Sequence, residues 1–198
     1  MNKNPLSAQE IIKKISTLIA DKIEEDNIKG ACNRIPFILK YYLHRYYHID
    51  IDIHFGLIEH NNIYAPHNWN SYEGQKIDIT IHNQLIKDLN SDCVILNEIY
   101  IQKSGNVVYY SHDDLPKDYL DLIAQAIDEE RWLKSISNRT VEDEHNLQKL
   151  TEMLDDDSRM IALEKRKMRE IKSIKTFIKN YYKDDWNNIL QYLKTKKI

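Results

Sequence analysis

Apolar residues recur at helical spacing from the start of the chain: Ile11, Ile12, Ile15, Leu18, Ile19 and Ile23 fall on one face. Ser7 and Glu10 just ahead of them form a capping box, in which hydroxyl and carboxylate satisfy opposite backbone N–H groups. A first helix is therefore expected to about Asp26. Gly30 interrupts the pattern, and Ile35, Ile38, Leu39, Tyr42, Leu43 and Tyr46 restore it. A second helix is expected from Ala31 or Cys32 to about His48, with Cys32 in its first turn.

The period then changes from helical to alternating. Ile51, Ile53, Phe55 and Leu57 alternate with Asp50, Asp52, His54 and Gly56, as in a half-buried strand. Residues 63–70 and 75–81 read as two further strands joined through 71–74. Residues 94–101 and 107–110 read as a later hairpin that turns at Ser104, Gly105 and Asn106. About five strands result. Helical periodicity returns at Leu115 and continues to the end, with Met168, Ile171, Ile174, Ile178 and Tyr181 on one face. Asp184 or Asp185 is expected to cap a last helix carrying Trp186, Ile189, Leu190 and Leu193.

An α+β fold follows: N-terminal helices packed on an antiparallel sheet, then a helical C-terminal region. The 198 residues divide into a core over 1–114 and a helical part over 115–198 that packs on it. With only four Gly and four Pro, long regular elements are favoured over loops.

Composition narrows the function classes. Apolar runs are too short to cross a bilayer and none follows the initial Met, so neither membrane anchoring nor export is expected. Cys32 and Cys93 stand far apart without a CxxC pairing, which suits free thiols in a reducing cytoplasm. The net charge of −3 makes nucleic acid an unlikely partner but conceals a polarity along the chain. Residues 113–157 carry fourteen acids and five bases, net −9, and residues 158–198 carry four acids and twelve bases, net +8. Helices with complementary faces are the ordinary explanation. A basic arm for nucleic acid or an acidic partner is the other.

Three residues form the candidate chemistry. Cys32 follows Gly30 and Ala31 at a helix start, where unpaired N–H groups favour a thiolate and can receive an oxyanion. Alone, such a cysteine is more often core than catalytic. If 71–74 is a two- or four-residue loop whose paired positions sum to 145, His67 lies directly opposite Asp78. The carboxylate would then hold Nδ1–H of His67 and leave Nε2 for a thiol. A one-residue slip would put the two side chains on opposite faces.

Gly30-Ala31-Cys32 at a helix start, His67-Asn68-Trp69 on a strand and Ile77-Asp78-Ile79-Thr80 on the next resemble the Cys, His-x-Trp and Asp-x-Thr elements of the transglutaminase-like superfamily. The resemblance spans about residues 28–82. It implies a papain-like core in which Cys32 is the nucleophile, His67 the general base and acid, Asp78 the orienting carboxylate, and Trp69 a packing residue beside the substrate. It also implies an acyl-enzyme intermediate, a protein or peptide substrate and no cofactor. Hydrolysis, deamidation and crosslinking all fall within the superfamily.

Other signals are weaker. His44 and His48 are four apart but lack further ligands, so no metal site is expected. Cys93 heads an apolar strand and reads as packing, and the isolated glycines form no phosphate loop. The tyrosine pairs at 41–42, 46–47, 109–110 and 181–182 could stack on bases, though one ring inward and one outward is more common. A reading from another class is a non-catalytic papain-like scaffold that binds a protein partner, nucleic acid or a second copy through its charged C-terminal helices.

Overall fold

The computed structural model describes residues 6–165 and 169–196. Helix α1 runs Ala8–Glu25, and its capping box forms in full: Ser7 N donates to Glu10 Oε2 at 2.7 Å, and Glu10 N donates to Ser7 Oγ at 3.3 Å. Its apolar stripe of Ile12, Ile15, Ile19 and Ile23 is buried.

Cys32 does not lie in the first turn of the second helix. Gly30 takes a left-handed conformation, a three-residue 3₁₀ turn covers Ala31–Asn33, and Arg34 at φ −136° separates that turn from helix α2, Ile35–Tyr47. Pro36, near the start of α2, has no N–H to carry helical hydrogen bonding further back.

Among the described residues the antiparallel sheet has six strands rather than about five: β1 Asp52–His60, β2 Ile63–Tyr72, β3 Gln75–Asp78, β4 Cys93–Ile95, β5 Glu98–Ile101 and β6 Val108–Ser111. Their spatial order is β5-β4-β3-β2-β1-β6. Asn61 with Asn62, Glu73 with Gly74, and Leu96 with Asn97 all have positive φ. Each pair makes a two-residue turn whose twist matches that of the flanking strands.

Two expectations about the sheet are corrected. Residues 94–101 contain a hairpin of their own, turning at Leu96 and Asn97, and β6 pairs with β1 on the opposite edge from β5. Gly105 is not a hairpin turn. An added Cβ there would lie 1.8 Å from the Asn90 carbonyl oxygen, so the glycine permits close approach of two backbones.

The main core lies between one sheet face, bearing Ile53, Phe55, Ile77, Ile79 and Ile95, and helices α1 and α2. Helices α5, Ile171–Tyr181, and α6, Lys183–Thr195, contribute to the same core through Ile174, Ile178, Ile189 and Leu193. Phe177 packs on Phe37 and Trp186 on Tyr41, with ring centroids 5.0 and 5.2 Å apart. Met168, expected on that stripe, lies outside the described residues, and Tyr181 is exposed. Asp184 and Asp185 occupy the first turn of α6 rather than capping it, and Asp185 Oδ1 reaches Arg34 Nε at 3.3 Å. Helices α3, Lys117–Ser135, and α4, Val141–Lys165, pack on each other. Tyr119 anchors α3 against Leu57. Among the described residues no helix is long and apolar enough to cross a membrane.

The other face of the sheet holds a small second core of Ile58, Ile81, Leu89 and Val107, against which Tyr109 packs. His67 and Asp78 belong to this side.

Candidate active site

The β2–β3 hairpin pairs Asn70 with Ile77, Ser71 with Lys76 and Tyr72 with Gln75, so paired positions sum to 147 instead of 145. The turn sits one residue further along β2 than the counting placed it, which moves the register by two. His67 therefore does not oppose Asp78 directly; continued one step, the ladder would set Asp78 against Trp69. A shift of two preserves the face, because side chains alternate with period two. His67 and Asp78 thus remain diagonal neighbours on one side and meet, Nε2 to Oδ2, at 2.6 Å.

The imidazole is held by the nitrogen opposite to the one expected. Nε2 is bound by Asp78, which leaves Nδ1, fully buried, as the nitrogen not held by the carboxylate. Burial opposes protonation of His67, but the charge and hydrogen bond of Asp78 outweigh it, reinforced by the nearby Cys32 side chain, and raise its pKa to about 10. Burial equally opposes ionisation of Asp78. The charge and hydrogen bond of His67, with hydrogen bonds from Tyr109 and Thr80, overcome it and hold the carboxyl below its ordinary range.

Asp78 is unusually well supplied with donors. Oδ1 accepts from Thr80 N at 3.1 Å, Thr80 Oγ1 at 3.0 Å and Ile81 N at 3.2 Å. Oδ2 accepts from the Tyr109 hydroxyl at 2.8 Å as well as meeting His67. With 1% of its surface exposed, Asp78 is a buried charge whose acceptor sites are filled.

Cys32 reaches this site from the other layer. Its 3₁₀ turn packs against β2, where Asn68 Nδ2 donates to the Cys32 carbonyl at 3.3 Å. Asn68 immediately follows His67, so one short stretch of β2 both carries the imidazole and ties down the cysteine-bearing turn. A second tie lies two residues on: Asn70 Nδ2 donates to Pro36 O at 3.2 Å and Asp52 O at 3.0 Å, joining α2 to the sheet. Cys32 is 4% exposed. A three-residue turn supplies no macrodipole of its own.

Trp69 is half-buried and lies between two imidazoles. It stacks on His54 at 5.4 Å and on His67 at 6.3 Å, with interplanar angles of 15° in both cases. Gly56, opposite His67 in the β1–β2 ladder, makes room for it: an added Cβ would meet the Trp69 ring at 3.1 Å and the Tyr110 carbonyl oxygen at 2.0 Å.

Tyr109 was not legible as a site residue. Its pattern is that of any strand tyrosine, and its hydroxyl on edge strand β6 reaches Asp78 of β3 although β1 and β2 lie between those strands in the sheet. The pairs Tyr41–Tyr42 and Tyr109–Tyr110 also depart from the one-in, one-out expectation: the first pair is buried throughout, and both rings of the second are half-buried. His44 Nδ1 meets Asp50 Oδ1 at 2.8 Å, and His48 ends α2 in a left-handed conformation. Among the described residues no cluster of three His, Cys, Asp or Glu could hold a metal ion. Cys93 is fully buried and its thiol is pushed up to about 12 by burial and by the Asp78 charge.

Comparison with protein-family models, with curated proteins and with solved structures brings no match for this chain.

Proposed function

We propose that this protein is a cysteine-dependent acyl-transfer enzyme with a papain-like, transglutaminase-like arrangement, in which Cys32 attacks, His67 moves the proton and Asp78 orients the imidazole. The observation that carries this reading is the environment of His67: Nε2 is fixed by a buried carboxylate, and the nearby Cys32 side chain acts on the same ring.

The chemistry follows in balanced steps. Sγ of Cys32, its proton on His67, adds to the carbonyl carbon of a protein or peptide amide, and the C=O pair moves onto oxygen. Collapse of that intermediate breaks the C–N bond, and the His67 imidazolium gives its proton to the departing amine or ammonia. A thioester remains on Cys32. Water, deprotonated by His67, then attacks the thioester and releases a carboxylic acid; an amine in place of water gives a new amide. No cofactor takes part in this sequence. A cytoplasmic setting suits it, since both cysteines are free thiols.

A non-catalytic scaffold that binds a protein partner through its C-terminal helices draws on a different observation, the 4% exposure of Cys32. The two readings separate on the rate of Cys32 alkylation by iodoacetamide, resolved by peptide mass spectrometry and set against glutathione. The enzyme reading expects Cys32 at pH 6 to react faster than glutathione, and His67→Gln to slow it by about tenfold or more. A Cys32 slower than glutathione throughout, and indifferent to His67→Gln, would overturn it in favour of the scaffold.

A further inference from the structure

Tyr109 enters the site from the far edge of the sheet and touches three of its members. Its hydroxyl donates at 2.8 Å to Oδ2 of Asp78, the same oxygen that meets His67 Nε2 at 2.6 Å. Its ring stands edge-on to His67, centroids 6.1 Å apart at 68°, and to Trp69, 5.2 Å apart at 73°. Lys76 Nζ lies 3.8 Å from its ring centroid on the other side. A phenol so placed is not a proton donor for the reaction: burial, then the charge of Asp78, raise its pKa far above its ordinary value.

We propose, building on the Cys32–His67–Asp78 reading above, that Tyr109 is a positioning residue which shares the Asp78 oxygen bound to His67 and thereby limits how strongly that carboxylate holds the imidazolium. The other carboxylate oxygen is already pinned by Thr80 and Ile81, so the orientation of Asp78 survives without Tyr109. What the phenol adds is competition for one oxygen. Donating to a carboxylate lowers its basicity, and a less basic partner releases the imidazolium proton more readily. An imidazolium bound too tightly could not pass its proton to a leaving amine. The titratable groups that act on the His67–Asp78 pair are Cys32, Lys76, His82, Cys93 and Tyr109, and Tyr109 is the one that donates a hydrogen bond to Oδ2 alongside His67.

The test is the titration of the His67 ring by NMR in the full chain with isotope-labelled histidine. Tyr109→Phe keeps the ring contacts and removes the donor, and the His67 midpoint should move upward by roughly half a pH unit or more. Tyr110→Phe, on the neighbouring residue that packs with Leu57 and Tyr119, should leave it in place. Should Tyr109→Phe fail to fold, Tyr109→3-fluorotyrosine carries a more acidic phenol in nearly the same volume and should move the midpoint down. A midpoint that does not move, or moves the other way, in whichever variant folds overturns the proposal. Failure of the enzyme reading is seen separately, as slow Cys32 alkylation in a protein whose His67 midpoint still responds to Tyr109.

Discussion

His67 and Asp78 are bonded, Nε2 to Oδ2 at 2.6 Å, although the β2–β3 ladder does not set them opposite one another. The strands stop pairing at Asn70 and Ile77, and Asp78 then leans diagonally toward His67 while Thr80 and Ile81 close on its other oxygen. A diagonal neighbour two positions away is within reach of an imidazole, which is why a register error of two leaves the pair intact.

Asp78→Asn is not a gentle substitution in this setting. All five contacts bring a donor, or an imidazole N–H, to the carboxylate oxygens, and an amide must turn its own N–H₂ toward one set of them. The variant is expected to lose about 3 kcal/mol of stability in urea unfolding as well as the rapid alkylation of Cys32. Asp88→Asn, at an exposed site, should stay within about 0.5 kcal/mol. Asp92 does not serve as a silent control, because its Oδ1 accepts from Lys103 N at 2.7 Å.

The same pair sets a pH window for stability. Asp78 is lowered on folding, so its contribution is present above the ordinary 3.8 and is lost as pH falls through the lower folded value. His67 is raised from 6.5 to about 10, so its contribution is complete below 6.5 and is lost as pH rises toward 10. Unfolding free energy from urea melts at a series of pH values should therefore show the wild-type advantage over Asp78→Asn at its full size between about pH 4 and 6.5, shrinking on both sides. A constant difference across pH 3–10 would mean that the pair is not charged in the folded protein.

Gly56→Ala should be costly although Gly56 lies in the middle of a strand, where alanine is ordinarily tolerated. The new methyl would lie 2.0 Å from a backbone oxygen of β6 and against Trp69, so β1 and β6 must separate or Trp69 must move. A loss of about 2 kcal/mol or more is expected in thermal or urea unfolding, accompanied by a changed Trp69 fluorescence. A neutral result would place β6 elsewhere than beside β1.

Ile174 and Ile178 of α5 are buried in the same core as α1 and α2. Each alanine substitution is expected to cost about 2–4 kcal/mol, and removal of residues 171–196 should abolish cooperative unfolding of the remaining chain. The measurement is the urea transition followed by far-UV circular dichroism. If the shortened chain instead unfolds cooperatively and keeps reactive Cys32, the C-terminal helices are an accessory to the core rather than part of it.

What the sequence by itself determined is local. The Ser7 and Glu10 box, the isoleucine stripe of α1, the alternation that starts β1 and the helical stripe of Ile171, Ile174 and Ile178 each depend on neighbours a few residues apart, so periodicity and capping chemistry suffice to read them. The alternation of the two strands keeps His67 and Asp78 on one face for any even shift of register, and the two-residue turn made the shift even. Tertiary structure decided the rest. The turn at Glu73 and Gly74 fixed the register, and the approach angle of Asp78 fixed which nitrogen of His67 it holds. Pro36 and Arg34 separated Cys32 from the helix that follows, and the folded sheet brought Tyr109 of the β6 edge to Asp78 of β3. One of those outcomes joins residues 31 positions apart, and the others hinge on the geometry of a turn or of a few side chains. No pattern of short period encodes them, because their energy is realised only when the two layers pack.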